Sequence, residues 1–145
     1  MEAEYLNLIR LLNEENVEYV ILGGHAVIAH GYLRTTGDVD IFINPTNQNA
    51  EKLVSALTRY GYTNGEFEVN DFTLVPNYLS FSGHDGWVDI MTFTLGVTFS
   101  ECYKNRVVLN VQNVDVNFIS LPDLIRNKQA TGRPQDLRDL ENLID

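Results

Sequence analysis

Asp38-Val39-Asp40 opens an apolar run through Ile41, Phe42 and Ile43, and thirteen residues separate it from the glycine pair of Leu22-Gly23-Gly24. Carboxylates two apart on a strand project from the same face. At a separation of about 4 Å and an effective dielectric near 20, two such charges repel by roughly 4 kcal/mol. The pair therefore calls for a bound cation or a retained proton, and a divalent metal serving phosphoryl-group transfer is the chemistry this pattern suggests. The plain alternative is a polar strand end before a turn. Asp89, within Val88-Asp89-Ile90-Met91, is the candidate for a third carboxylate, because apolar residues surround it on both faces. Asp115, in the alternating run Val114 to Ile119, is its rival.

The elements that would position these groups alternate between helical and strand spacing, the pattern of a layered mixed fold. Tyr5, Leu8, Ile9 and Leu12 predict a helix over residues 2–14, and Glu18 to Leu22 a strand that ends at the glycines. His25 to His30 fits a short helix closed by Gly31. After the strand Asp38 to Ile43, Asn44-Pro45 breaks the pattern, and Asn47 to Tyr60 reads as a helix stopped by Gly61, with Leu53, Leu57 and Tyr60 inward. Tyr78 to Ser82 and Trp87 to Phe93 form a hairpin across Gly83-His84-Asp85-Gly86. Thr98 to Asn105 is a short helix, and Val107 to Val111 pairs with Val114 to Ile119 around Gln112-Asn113. Ser120 caps the next helix, with Pro122 and Asp123 in its first turn. Gly132-Arg133-Pro134 then separates it from a last helix, Gln135 to Ile144. The expected fold class is α/β, a small mixed sheet flanked by helices, with residues 1–145 as one domain.

Composition narrows the function. A chain of 145 residues buries about 70% of its unfolded surface, enough for a core without staples. The single cysteine, Cys102, excludes an internal disulfide framework and reads as a small buried hydrophobe. The acidic start lacks a signal peptide and no apolar stretch approaches the roughly 20 residues of a membrane span, so a cytoplasmic protein is expected. Twenty acids against ten Lys and Arg give a net charge of −10, which opposes broad binding of nucleic acid. It leaves room for a small phosphate-bearing ligand near Arg126, Lys128, Arg133 and Arg138, and favours a cationic acceptor. A P-loop pattern is missing, and the glycine pair lacks the spacing of a dinucleotide-binding turn. His25, His30 and His84 are too scattered for a zinc site. Trp87, Tyr78 and Phe81 read as hairpin core before they read as a nucleobase platform.

Taken together, Leu22-Gly23-Gly24, Asp38-Val39-Asp40-Ile41 and Asp89 resemble the pattern of the DNA polymerase β-like nucleotidyltransferase superfamily. Gly23-Gly24-His25-Ala26, Arg34-Thr35-Thr36-Gly37-Asp38-Val39-Asp40 and Asp123-Leu124-Ile125-x-x-Lys128 extend the likeness, as does Gly132-Arg133-Pro134-x-Asp136-Leu137-x-Asp139-Leu140. These resemble its minimal bacterial members, related to AbiEii-type toxins, over roughly residues 18 to 143.

The resemblance implies an enzyme that moves a nucleoside monophosphate from an NTP such as ATP to an acceptor hydroxyl and releases diphosphate. Asp38, Asp40 and Asp89 would hold Mg²⁺ or Mn²⁺, since aspartates are hard oxygen ligands. Asp89 would also help activate the acceptor. Gly23 and Gly24 would let backbone amides approach the triphosphate, and Arg34 would neutralise the leaving diphosphate or merely decorate its loop. A late lysine and aspartate belong to the active site in the toxin-related proteins, which points to Lys128 and Asp136. The bland readings of those two are a solvated helix-end lysine and a helix N-terminal acid. The resemblance permits an RNA end, a protein side chain or a small molecule as acceptor, a homodimer, and an antitoxin-like partner. The competing class is a noncatalytic nucleotide-binding or partner-binding module on the same fold.

Overall fold

Tyr5, Leu8, Ile9 and Leu12 are buried along one side of α1 (Ala3–Glu14) in a computed structural model that describes residues 3–63, 65–82 and 86–144. The wholly apolar β1 (Tyr19–Leu22) is buried at every position, as a strand covered on both faces must be. Gly23 then adopts φ +63, a left-handed conformation that glycine enters without a Cβ penalty. It turns the strand directly into α2 (Gly23–Ala29), so that helix begins two residues before the expected His25.

The remaining elements are β2 (Asp38–Ile43), α3 (Asn47–Tyr60), β3 (Tyr78–Ser82), β4 (Trp87–Met91), α4 (Phe99–Lys104), β5 (Val107–Val111), β6 (Val114–Phe118), α5 (Leu121–Thr131) and α6 (Pro134–Ile144). The last helix starts one residue before the expected Gln135, with proline in its first turn. Gln112 and Asn113, at φ 50 and 69, make the tight turn between β5 and β6. Residues 83–85, which include His84 and most of the expected turn between β3 and β4, lie outside the described residues. β4 ends at Met91 because its partner β3 begins there, at Tyr78. Phe93 consequently stands in the following loop. A 3₁₀ turn, Val69–Phe72, which no sequence pattern marks, buries Phe72 against α3.

The strands form one mixed sheet in the order β3-β4-β2-β1-β6-β5. β2 runs parallel to β4 and antiparallel to β1, and β1 runs parallel to β6. Val39, Ile41, Val88 and Ile90 are buried in the central pair, which fixes its register. The expected hairpin core needs correction. Tyr78 and Trp87 are 57% and 52% exposed, because both sit at strand ends on the rim of the sheet. Only Phe81 packs inward, in a ring cluster with Tyr62 and Phe67. Among the described residues, no helix is long and apolar enough to cross a membrane.

Buried Asn49 fastens the first turn of α3 to the strands. Its Oδ1 accepts from the Glu18 amide at 2.7 Å, and its Nδ2 donates to the carbonyls of Glu18 at 3.0 Å and Asn44 at 2.9 Å. Leaving such buried groups unpaired costs more than the net worth of the bonds. Asn49→Ala is therefore expected to lower stability by about 2 kcal/mol, read as a lower urea midpoint at unchanged slope.

Candidate functional site

The parallel pairing of β2 with β4 sets Asp40 directly opposite Asp89. Asp89 is buried, and the two carboxyl groups meet through a side-chain hydrogen bond. Burial first, then the charge of Asp89, that hydrogen bond and the charge of Asp38, push the Asp40 pKa well above the ordinary carboxylate range. Asp40 thus holds a proton more readily than a free aspartate. Asp38, two residues earlier on the same face, is more exposed and is raised by burial and by Asp89. Two neighbours on β3 orient Asp89: Ser80 Oγ donates to its Oδ1 at 2.5 Å, and the Tyr78 phenol hydrogen-bonds to it. Burial and that bond raise the phenol's pKa. Neither neighbour was identifiable before the register placed Ser80 opposite Asp89. Strand alternation then puts Tyr78 on the same face.

The glycine pair is explained by what surrounds it. A Cβ at Gly23 would overlap Asp40 Oδ2, and one at Gly24 would lie 2.5 Å from Thr36 Oγ1 and 2.7 Å from Thr36 Cβ. Only residues without side chains let this strand-to-helix turn, the 34–37 loop and β2 close on one another.

A second cluster is cationic. Lys128, 5% exposed at its side chain, lies 2.9 Å from Asp139 Oδ2 and 3.2 Å from Asp136 Oδ1. Arg34 Nε is 2.9 Å from Asp139 Oδ1, and its Nη2 donates to Oδ2 at 3.2 Å. Arg133 donates to Asp136 Oδ2 through Nε at 2.9 Å and its amide at 3.0 Å, and Thr131 Oγ1 adds a bond at 2.8 Å. Burial alone would raise both acids. Hydrogen bonds from Arg133, Thr131 and Lys128 to Asp136, and from Lys128 and Gln135 to Asp139, outweigh it and hold both below the usual range. Lys128 is neither solvated nor free: it is buried between two carboxylates. Asp139 received no role from sequence, although its place one helical turn after Asp136 puts both acids on one face of α6.

Two cavities meet at these clusters. One, about 610 Å³, is bounded by Gly23, Gly24, Arg34, Thr36, Lys128 and Arg133. The other, about 440 Å³, is bounded by Asp89, Tyr78, Met91, Phe93, Leu95 and Asn127. Gly23, Asp38, Asp40, Lys128 and Arg133 line both. Among the described residues, no three His, Cys, Asp or Glu side chains are grouped so as to cage a metal ion. The donor set nevertheless fits an open site. Mg²⁺ is commonly held by one or two carboxylates plus substrate phosphates, and Asp40 with Asp89 offers a hard-oxygen pair at which a cation can replace a shared proton.

Other expected residues lie elsewhere. Asp115 accepts from Asn110 Nδ2 at 3.1 Å and lines neither cavity. Arg126 pairs with Asp123 and Arg138 with Gln135, so only Lys128 and Arg133 of the four C-terminal cations reach the cavities. His30 Nε2 lies 2.8 Å from the Ile119 carbonyl. Burial lowers the pKa of His25 to about 4 and pushes the Cys102 thiol up to about 11, which keeps both uncharged.

Residues 3–144 match the family described as "Nucleotidyltransferase of unknown function (DUF6036)", and the chain belongs to that family. Its class is accordingly a nucleotidyl transferase. No curated protein sequence matches. Among solved structures, the lincomycin-bound lincosamide antibiotic adenylyltransferase LnuA is similar at TM-score 0.67 and 19% identity, over 100% of this chain and 97% of that one. A Thermotoga maritima protein assigned as a nucleotidyltransferase gives 0.68 at 15% identity, over 99% and 94%. ANT(2")-Ia, in complex with adenylyl-2"-tobramycin, gives 0.58 at 12% identity, over 93% and 82%. At these identities the likeness shows the α/β fold of nucleotidyltransferases.

The lowered acids predict acid lability. A carboxylate whose folded pKa is depressed stabilises the protein above its unfolded value of about 4, and that stability is lost as pH falls toward the folded value. Asp40, with a raised pKa, acts in the opposite sense. Asp139→Asn is expected to lower stability at pH 7 by about 3 kcal/mol, because Lys128 loses a buried partner. It should also flatten the decline below about pH 4, while the Asp40 contribution stays common to both proteins. Chemical unfolding of both proteins across that range checks the slope as well as the offset.

Proposed function

We propose that this nucleotidyltransferase-family protein moves a nucleoside monophosphate from an NTP, ATP included, to an acceptor hydroxyl, with Mg²⁺ or Mn²⁺ as cofactor. The observation that carries the reading is the Asp40 and Asp89 pair, with Asp40 on the wall shared by two cavities, Asp89 in the smaller one, Lys128 and Arg133 lining both and Arg34 the larger. The triphosphate occupies the larger cavity, where Arg34 and Arg133 meet its negative charge and Gly23 and Gly24 admit it without a side chain. Lys128 holds the cationic wall in place through Asp136 and Asp139 and adds its field at the α-phosphate. Asp38, Asp40 and Asp89 would hold the metal, which when bound supplies Lewis-acid stabilisation of charge on the phosphoryl oxygens.

Asp89, fixed by Ser80 and Tyr78, receives the proton of the acceptor hydroxyl. The acceptor oxygen forms a bond to the α-phosphorus in line with the bridging oxygen, whose bond to that phosphorus breaks, and diphosphate leaves with the electron pair. A small-molecule acceptor has the support of two structural neighbours, one bound to lincomycin and one to an adenylylated tobramycin. The toxin-type resemblance adds RNA ends and protein side chains as acceptors and an antitoxin-like partner. The chain works in the cytoplasm on this reading.

Incubation with Mg²⁺, α-labelled NTPs and pooled small-molecule, RNA and protein acceptors should give label transfer that falls at least about a hundredfold in Asp40→Asn, the scale of losing one electrostatic catalytic group. Equal transfer by both proteins would remove the mechanism, and nucleotide binding without transfer would favour the noncatalytic module. Asp40→Asn should at the same time raise the melting temperature of the ligand-free protein, since it removes a like charge from a buried pair. Saturating NTP with Mg²⁺ should stabilise the unmodified protein, as ligand that prefers the native state does, and the variant far less.

A further inference from the structure

The 440 Å³ cavity has a wall unlike the rest of the site. Phe93 and Leu95 are 47% and 49% exposed, and Tyr78 and Met91 continue the apolar surface toward Asp89. Exposed apolar side chains on a loop are ordinarily mobile and unremarked. This loop is anchored at both ends. Thr92 Oγ accepts from the Asn77 amide at 2.8 Å and donates to the Leu74 carbonyl at 2.7 Å. Buried Asn127 donates to Thr94 Oγ1 at 2.9 Å and to the Leu95 carbonyl at 2.8 Å. Gly96, at φ +85, sits so close to α5 that a Cβ there would lie 2.7 Å from the Arg126 carbonyl. The loop therefore presents two apolar side chains from a fixed frame to the mouth of a cavity floored by carboxylates.

We infer that this cavity is the acceptor subsite, and that it takes a small hydroxyl-bearing molecule with an apolar or aromatic face and a neutral or cationic polar part. The inference rests on the nucleotidyl-transfer reading. In-line displacement places the attacking oxygen opposite the leaving group. With diphosphate among Arg34, Arg133 and the glycines of the larger cavity, the attacking hydroxyl approaches across the shared Asp40 wall, from the side where Asp89 stands. A nucleobase is attached beside that line rather than along it. The volume is that of a drug-sized ligand. Lys128 and Arg133 also line it but are already paired with Asp136, so Asp38, Asp40 and Asp89 on its floor set the balance against a polyanion, which disfavours an RNA end.

The test measures equilibrium binding in the presence of Mg²⁺ and α,β-methylene-ATP, which cannot transfer its nucleotidyl group. The probes are glucosamine and its octyl and phenyl glycosides, beside an RNA hexamer. The octyl or phenyl glycoside should bind at least about tenfold more tightly than glucosamine, the scale of burying part of an apolar group. Phe93→Ala/Leu95→Ala should erase that difference while leaving α,β-methylene-ATP affinity within about twofold of the original. An aglycone without effect, tighter binding of the hexamer, or a tenfold loss of nucleotide affinity in the double variant would overturn the assignment, the last by making the cavity a nucleoside pocket. The aglycone comparison on the unmodified protein decides the matter even if the double variant does not fold. Failure of the underlying reading has a separate mark: no binding of α,β-methylene-ATP to the unmodified protein.

Discussion

Two carboxylates held side by side on adjacent strands are the constraint around which the rest of this site is arranged. Asp40 and Asp89 occupy one rung of the β2 and β4 pair, and the rung is dictated by apolar neighbours. Val39, Ile41, Val88 and Ile90 are all buried, and a slip of one residue would turn that set out of the core. Hydrophobic burial thus imposes an electrostatic cost that no local rearrangement can escape. Relief comes from the Ser80 and Tyr78 donors on Asp89 and from a proton retained at Asp40. A site whose unliganded state is strained in this way gains most from a cation, because the ligand removes a repulsion as well as adding an attraction.

The cationic wall answers the opposite problem. Lys128, Arg34 and Arg133 face two acids, Asp136 and Asp139, so an excess of positive charge survives even in a chain of net charge −10. Buried ion pairs add little stability by themselves but are costly to break singly. That asymmetry makes them effective fasteners. Arg34 and Asp139 are 105 positions apart in sequence, and their contact ties the loop entering β2 to the last helix. The larger cavity is bordered by both segments.

Much of this was legible in the chain, for reasons that differ by element. β2, α3, β3 and β5 occupy the expected spans, because strand alternation and the Asn44-Pro45 and Gly61 signals around α3 are local. The Asp38-Val39-Asp40 and Asp89 candidates needed only strand periodicity to be proposed. The Ser80 and Tyr78 partners needed a pairing register, and the Asp139 partnership needed the packing of α5 on α6, neither of which is a local property. The exposure of Tyr78 and Trp87 was misjudged because an aromatic at a strand end carries the same sequence pattern as one at its centre. The reason for Gly24 is equally nonlocal: the atoms it avoids belong to Thr36, twelve positions downstream.

Gly23 brings the two halves together. It is the glycine common to both cavities, it carries the left-handed φ that ends β1 and starts α2, and its missing Cβ is the space that Asp40 Oδ2 fills. A side chain there would meet two independent penalties, one from the backbone conformation and one from overlap with the carboxylate. Neither could be relieved by a rotamer change at that residue, since a Cβ does not move with χ1. The adjustment would fall on Asp40, and through the β2 and β4 rung on Asp89. Glycine turn and carboxylate pair are thus one steric unit, which is why a residue with no functional group can decide whether the functional groups beside it stay in register.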